Sequence, residues 1–265
     1  MVILLDCAAM SDKSHQETTV TAALIVIGNE VLSGRTREAN LQFLGEGLNE
    51  IGIRLMEARV IADDEDAIAA AVNACRVAYD YVFTTGGIGP THDDITAASI
   101  AKAFGLGFGR NPEAEALLRQ HYRPEDVTEA RLTMADTPEG VELIENPVSK
   151  APGFRVENVY VLPGVPHIMQ AMFEALKHGL AGGRPMRSNP IMAYLPEGLL
   201  AGRLGEIQAR QVDVEIGSYP FSRNGKFGTS LVVCHTDQAR VDAASEEVRE
   251  LIRSLDGEPD EDTGA

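Results

Sequence analysis

Tyr81-Val82-Phe83-Thr84-Thr85-Gly86-Gly87-Ile88-Gly89-Pro90-Thr91-His92-Asp93-Asp94 is the stretch on which the reading of this chain turns. An apolar, β-branched run meets three glycines within four positions, then paired aspartates, then a helical pattern over 95–104. That order predicts a buried strand, a tight turn and a helix. Glycines let a backbone turn sharply and approach a ligand without Cβ clashes, and successive N–H groups in such a turn form a nest for an anion. Gly86, Gly87 and Gly89, with Thr91, are therefore candidate phosphate-binding residues.

Outward from this loop, strand-like runs at 22–27, 53–61 and 81–85 alternate with amphipathic helical stretches at 38–50 and 65–77. In the first helical stretch Leu41, Leu44 and Leu48 share a face, and Gly52 lies just past its end. Pro112 and Pro124 each stand where a helix would open, short strands follow at 141–144, 154–156 and 159–162 with Glu157-Asn158 as a hairpin turn, and Pro166 begins a closing helix. The pattern predicts an α/β fold with a three-layer, mostly parallel sheet. A Gly-, Arg- and Pro-rich boundary at 179–190 precedes a strand, a helix, two strands and a last helix, a small C-terminal α+β appendage. The expected organisation is a flexible tail at 1–19, a main domain at 20–182, a small module at 190–256 and an acidic, disordered tail at 257–265.

With 265 residues the chain has room for one full core and one active site. Forty Asp and Glu against 23 Lys and Arg give a net charge of −17, a field that repels a polyphosphate backbone and an anionic membrane alike. No nucleic acid and no membrane partner is expected. Cys7, Cys75 and Cys234 are too few and too scattered for a disulfide framework or a zinc site, which suits a reducing, cytoplasmic setting. The apolar stretch at 2–10 is short, broken by Asp6 and without a basic flank, so it does not read as a signal peptide, and Met10 is a candidate start.

In open α/β sheets ligands sit beyond the carboxyl ends of the strands. Polar residues collect there: Gly28 and Glu30 after the first strand, Asp63 after the second, Asp93 and Asp94 after the third, and Pro163-Gly164 after a late one. A carboxylate beside a bound phosphate repels it unless a cation lies between them, so Asp94, Asp63 and Glu30 are candidate ligands for a divalent metal of the Mg, Mn or Co kind. Asp94 and Asp63 are also the candidate catalytic pair. The competing reading is that Asp93 and Asp94 cap the following helix. His92 is a second-rank site candidate, and Asn40 is another.

Gly28-Asn29-Glu30 followed by Asn40, Asp63, the run from Thr84 to Thr96, Asn146, Ala151-Pro152-Gly153-Phe154 and Pro163-Gly164-Val165-Pro166 together resemble the molybdopterin-binding, MoaB/Mog-like family. The version they resemble stands at the N-terminus of competence/damage-inducible protein A (CinA) and in some FAD synthases. The resemblance runs over about 21–180. It implies a loop at Gly86 that holds the phosphate of a pterin, molybdopterin included, or of a nucleotide. It also implies an Asp94 at the position of an essential aspartate of the Mog-type adenylyl-transferring proteins, and an Asp63 at a second acidic position. CinA-like members look like divalent-metal-dependent pyrophosphatases acting on ADP-ribose or FAD; the alternatives are a non-catalytic molybdopterin-binding protein and a molybdenum-cofactor adenylyl-transfer protein. The appendage resembles a KH-like module, and a homo-oligomer is expected. Asn29, Ile88 and Ile168 depart from the commoner residues of the family, which weakens the adenylyl-transfer reading. The amidohydrolase domain of CinA has no counterpart in this sequence, so deamidation is not implied.

Two rivals rest on other motifs. A dehydrogenase would show G-x-G-x-x-G at the first turn, where Glu30 stands instead. Gly202-Arg203-Leu204-Gly205 matches the G-x-x-G of RNA-binding KH domains, but it lies inside an apolar helical pattern, which favours a packing or dimerisation role.

Overall fold

The computed structural model describes residues 19–261. In chain order the first unit comprises β1 (Val20–Ile27), α1 (Asn29–Leu32), α2 (Asn40–Glu50), β2 (Ile53–Ile61), α3 (Glu65–Ala78), β3 (Tyr81–Thr85), α4 (Thr96–Phe104), β4 (Phe108–Arg110), α5 (Pro112–His121), α6 (Glu129–Leu132), β5 (Asp136–Pro138), β6 (Glu142–Ile144), β7 (Gly153–Val156), β8 (Val159–Leu162) and α7 (Pro166–Leu176). Six strands form one sheet in the order β2-β1-β3-β8-β7-β6. The first four run parallel, and β7 and β6 add antiparallel edges.

β1 shows why the sheet is covered on both faces. Its side chains alternate, so Ala22, Leu24 and Val26 enter one core while Ala23, Ile25 and Ile27 enter another. The first core takes Leu44 and Leu48 from α2 and Met169, Met172 and Phe173 from α7. The second takes Ile68, Val72 and Cys75 from α3 and Ile100 from α4. These are the three layers the sequence predicts. Local chemistry starts the helices: the Glu38 carboxylate accepts the Asn40 and Leu41 N–H groups at 2.7 and 2.9 Å, and Asp64 caps α3 by accepting the Ala67 N–H at 2.8 Å.

The second unit comprises β9 (Arg187–Ala193), α8 (Glu197–Arg210), β10 (Glu215–Arg223), β11 (Lys226–His235), α9 (Gln238–Ser254) and β12 (Asp260–Glu261). Its sheet runs β10-β11-β9-β12, all antiparallel, and α8 and α9 close a separate core around Leu200, Leu231, Val241 and Val248. This is the expected α+β appendage. No helix among the described residues is long and apolar enough to cross a membrane.

Several sequence expectations need correction. Pro124 opens only a single 3-10 turn, Pro124–Asp126, because Val127 leaves the helical region. Leu41 faces outward, 39% exposed, while Leu44 and Leu48 are buried. β4 and β5 pair as an unforeseen two-stranded ribbon. β9 starts inside the expected boundary and carries Pro190 within it, and β10 and β11 continue to a tight turn at Asn224-Gly225. The acidic tail is in part a strand: Asp260 and Glu261 pair with Met192 and Ile191 along the open edge of β9. Backbone pairing does not depend on side-chain polarity, so composition could not show this. The expected tail at 1–19, apart from Thr19, lies outside the described residues, as do residues 262–265. Gly202 and Gly205 sit within α8 with nothing within 4 Å of an added Cβ. The G-x-x-G is thus not a clamp loop; its glycines face open space, while Leu204 between them packs into the second unit's core.

Phe83 lies at the centre of the sheet, fully buried, with its ring 5.3 Å from Tyr160 and 5.9 Å edge-on to Phe173. Phe83→Ala should lower unfolding free energy by about 3–5 kcal/mol, measured by urea denaturation with an unchanged m-value.

Candidate functional site

The carboxyl end of β3 is pinned before any ligand arrives. The Gly86 N–H donates to Leu162 O at 3.1 Å, and with φ at +105° an added Cβ would strike Ile27 O. Gly87 follows at φ +66°, where a Cβ would collide with the Thr96 hydroxyl. That hydroxyl is itself buried and donates to Gly86 O at 3.0 Å, while the Thr96 N–H donates to Gly87 O at 2.9 Å. Among the described residues, the N–H groups of Gly87, Ile88 and Gly89 have no acceptor within the protein. Consecutive unpaired N–H donors in a tight glycine turn are what an anion nest requires.

Asp94 does not cap α4. The residue before that helix is Ile95, and it makes no side-chain cap. The Asp94 carboxylate instead accepts the Thr91 N–H at 2.8 Å and the Thr91 hydroxyl at 2.5 Å through one oxygen. The bond folds the 91–94 turn back on itself and leaves the other oxygen without a protein donor among the described residues.

A cavity of about 540 Å³ opens at these strand ends. Gly86, Gly87 and Gly89 line it together with Asp94, Glu30, Pro163 and Gly164, so the structure brings together seven residues that the sequence singles out. Thr91 and His92 line an adjoining cavity of about 430 Å³ that shares Ile88, Gly89, Pro90, Asp94 and Met134 with the first. His92 is almost fully exposed, its ring 4.0 Å from the Asp93 carboxylate. Asp93, Gly28, Asn40 and Asp63 line neither cavity. Two of them brace the site from behind: buried Asn40 donates its amide N–H to Gly164 O at 3.0 Å, and Asp63 accepts the Asn29 N–H at 2.8 Å, beside Glu30.

The three carboxylates expected to share a metal ion are therefore not assembled. Asp63 is engaged behind the loop, and no group of three Asp, Glu, His or Cys side chains among the described residues is placed to hold a cation. Glu30 and Asp94 share one cavity, and their oxygens are of the hard type that suits a divalent cation brought in on a ligand's phosphates. Among the described residues, Glu30 and Asp94 are the two carboxylates on this cavity that could hold such a cation.

The sequence reading missed the opposite wall. Tyr122, Arg131 and Met134 reach the cavity from the irregular stretch between α5 and β5, and Ser149 from the turn before β7, beside Asn146, which the sequence did single out. The signal was a long break in periodicity with Tyr122-Arg123-Pro124 at its start, in a protein where connecting loops carry the site.

An open sheet, a glycine-rich turn beyond its third strand and paired acids on a cleft define an α/β domain with a candidate anion-binding cleft, followed by a small accessory unit. The chain belongs to the molybdopterin-binding domain family: residues 23–181 match the family described as "Probable molybdopterin binding domain". Residues 185–256 match "FAD synthase, middle domain". A protein of Aeropyrum pernix is 34% identical over 89% of this chain and 95% of its own length. A "Probable FAD synthase" of Caenorhabditis briggsae is 32% identical over 88% of this chain, which spans about half (49%) of that longer relative. The solved structure of the CinA protein of Thermoplasma acidophilum, titled as of unknown function, is 36% identical and covers 61% of this chain and 99% of its own, with a TM-score of 0.57. The resemblance to CinA-type and FAD synthase proteins expected from the sequence is thereby established.

The contacts behind Gly87 change what its substitution should do. Sequence alone predicts that Gly87→Val abolishes binding and spares the fold. With Thr96 in the path and φ positive, the same change should strain the loop as well, lowering the melting temperature by several degrees alongside any loss of ligand. Differential scanning calorimetry checks this; an unchanged melting temperature would contradict the collision.

Proposed function

We propose that the cleft binds a phosphorylated nucleotide or pterin and that the protein is a divalent-metal-dependent pyrophosphatase of the ADP-ribose or FAD type. The observation that carries this reading is the meeting of the unpaired Gly87, Ile88 and Gly89 N–H groups with Glu30 and Asp94 around one cavity. Donors fixed on a rigid loop hold phosphoryl oxygens without reorganising, and they act on negative charge that grows as the phosphorus is attacked. Glu30 and Asp94 would hold the divalent cation that enters with the ligand. That cation supplies charge neutralisation on the phosphate and a more acidic water. In the reaction, water adds to one phosphorus, the bridging P–O bond breaks, and two phosphate monoesters leave with the released proton. The apolar wall formed by Ile88, Pro90, Val165 and Ile168 suits the face of a ring system attached to the phosphate.

A second reading, a non-catalytic binding protein, is favoured by one feature: Asp94 already braces its own loop through Thr91. Asp94→Asn separates the two. Asparagine's carbonyl oxygen can accept both Thr91 hydrogen bonds, so the loop stands while the formal charge goes. The catalytic reading expects hydrolysis of ADP-ribose or FAD with Mg²⁺ or Mn²⁺ to fall by roughly a hundredfold or more at a nearly unchanged melting temperature. The measurement is metal-titrated product formation by chromatography. Wild-type turnover in the variant would remove Asp94 from the reaction, and binding of ADP-ribose without hydrolysis by either protein would leave the binding reading standing.

A further inference from the structure

We propose that Arg131 is the cleft's phosphate-binding cation, held ready by Tyr122 on the wall facing the glycine loop. The inference rests on the cleft reading above and adds to it the side chain that discriminates a phosphorylated ligand from its unphosphorylated core.

Among the described residues, Arg131 is the one basic side chain lining the larger cavity, against Glu30 and Asp94. Two carboxylates and a phosphate in one cleft would repel one another, and a guanidinium there offsets that charge. The geometry is that of a prepared binding group. The Thr128 hydroxyl accepts the Arg131 backbone N–H at 3.2 Å and so starts α6 at a fixed point. The guanidinium then lies over the Tyr122 ring at 4.5 Å, and Nη1 donates to Asp126 O at 2.6 Å. One face is covered and one donor is anchored. Among the described residues, Nε and Nη2 have no acceptor within the protein. Those two atoms make a planar, parallel donor edge, which matches two oxygens of one phosphate.

The contact with the Asp126 carboxylate is loose, 3.6 Å with that side chain about half exposed, so it adds little to the hold. Stacking on Tyr122 is what fixes the plane. A side chain already stacked loses less freedom when a ligand arrives than a mobile surface arginine would. The competing assignment is a brace for the α5–α6 connection, in which the same contacts serve stability alone.

The test uses ADP-ribose and adenosine as probes, a pair that shares the adenosine moiety and differs in the diphosphate and the terminal ribose it carries. Binding is measured by calorimetry at low and high salt for wild type, Arg131→Gln, Arg131→Lys and Tyr122→Leu, each with its melting temperature. Arg131→Gln should weaken ADP-ribose by roughly ten- to a hundredfold, leave adenosine unchanged and flatten the salt dependence. Arg131→Lys should recover part of the loss, since it keeps the charge without the fork, and Tyr122→Leu should weaken ADP-ribose alone. If Arg131→Gln fails to fold, the lysine and leucine variants carry the test. Wild-type affinity and salt dependence for ADP-ribose in the arginine variants, or equal losses for both probes, would overturn the assignment. A wild-type protein that binds no ADP-ribose would sink the ADP-ribose form of the cleft reading, and this inference with it.

Discussion

The site depends on a close approach of backbone at Gly86. At Gly86 three strand ends meet: the N–H bonds to Leu162 O at the end of β8, the Cα faces Ile27 O at the end of β1, and a Cβ placed on Gly164 would lie 3.2 Å from the Gly86 Cα. No side chain can stand between them. This contact brings Glu30, the glycine loop and the Pro163-Gly164 turn to one cleft, although they are far apart in the chain. Asn40, buried at the head of α2, ties the last of these in place through Gly164 O.

The cleft is electrostatically unusual within an acidic chain. Its floor offers backbone dipoles, its rim two carboxylates, and its far wall a guanidinium stacked on tyrosine. Fixed dipoles bind an anion whatever the net charge, because they act at contact distance while the global field is screened within about 10 Å at ordinary salt. A net charge of −17 therefore opposes long polyanions more than a small phosphate ester already seated in the loop. On the proposed reading, a metal–phosphate complex is better matched to the two carboxylates than a bare phosphate.

Among the described residues, the Arg54–Glu215 ion pair links the second unit to the first, and in the connecting segment the Gly183 N–H donates to Gly52 O at 3.1 Å. The second unit's core is its own. Contacts of that kind are more like a transient interface than a shared interior. The match of this unit to the FAD synthase middle domain and of the first to the molybdopterin-binding domain divides the chain where the cores divide.

The sequence by itself determined the layers and the loop. β1, β3 and β8 were legible because buried parallel strands are largely apolar runs, and Gly86-Gly87-Ile88-Gly89 because positive φ and close approach exclude other residues at Gly86 and Gly87. Tertiary structure alone decided which acids line the cavity. Glu30, Asp63 and Asp94 read alike as carboxylates after strands, but Asp63 turns to the Asn29 N–H and Asp94 to Thr91, leaving Glu30 and Asp94 on the cavity. It also decided the far wall, since Tyr122 and Arg131 come from an aperiodic segment whose position is set by packing of Leu118, Leu132 and Ala135. Patterns along a chain report burial, which is local and periodic. The partner of a single polar side chain is chosen by whatever folding brings within hydrogen-bond reach, and no periodicity encodes that.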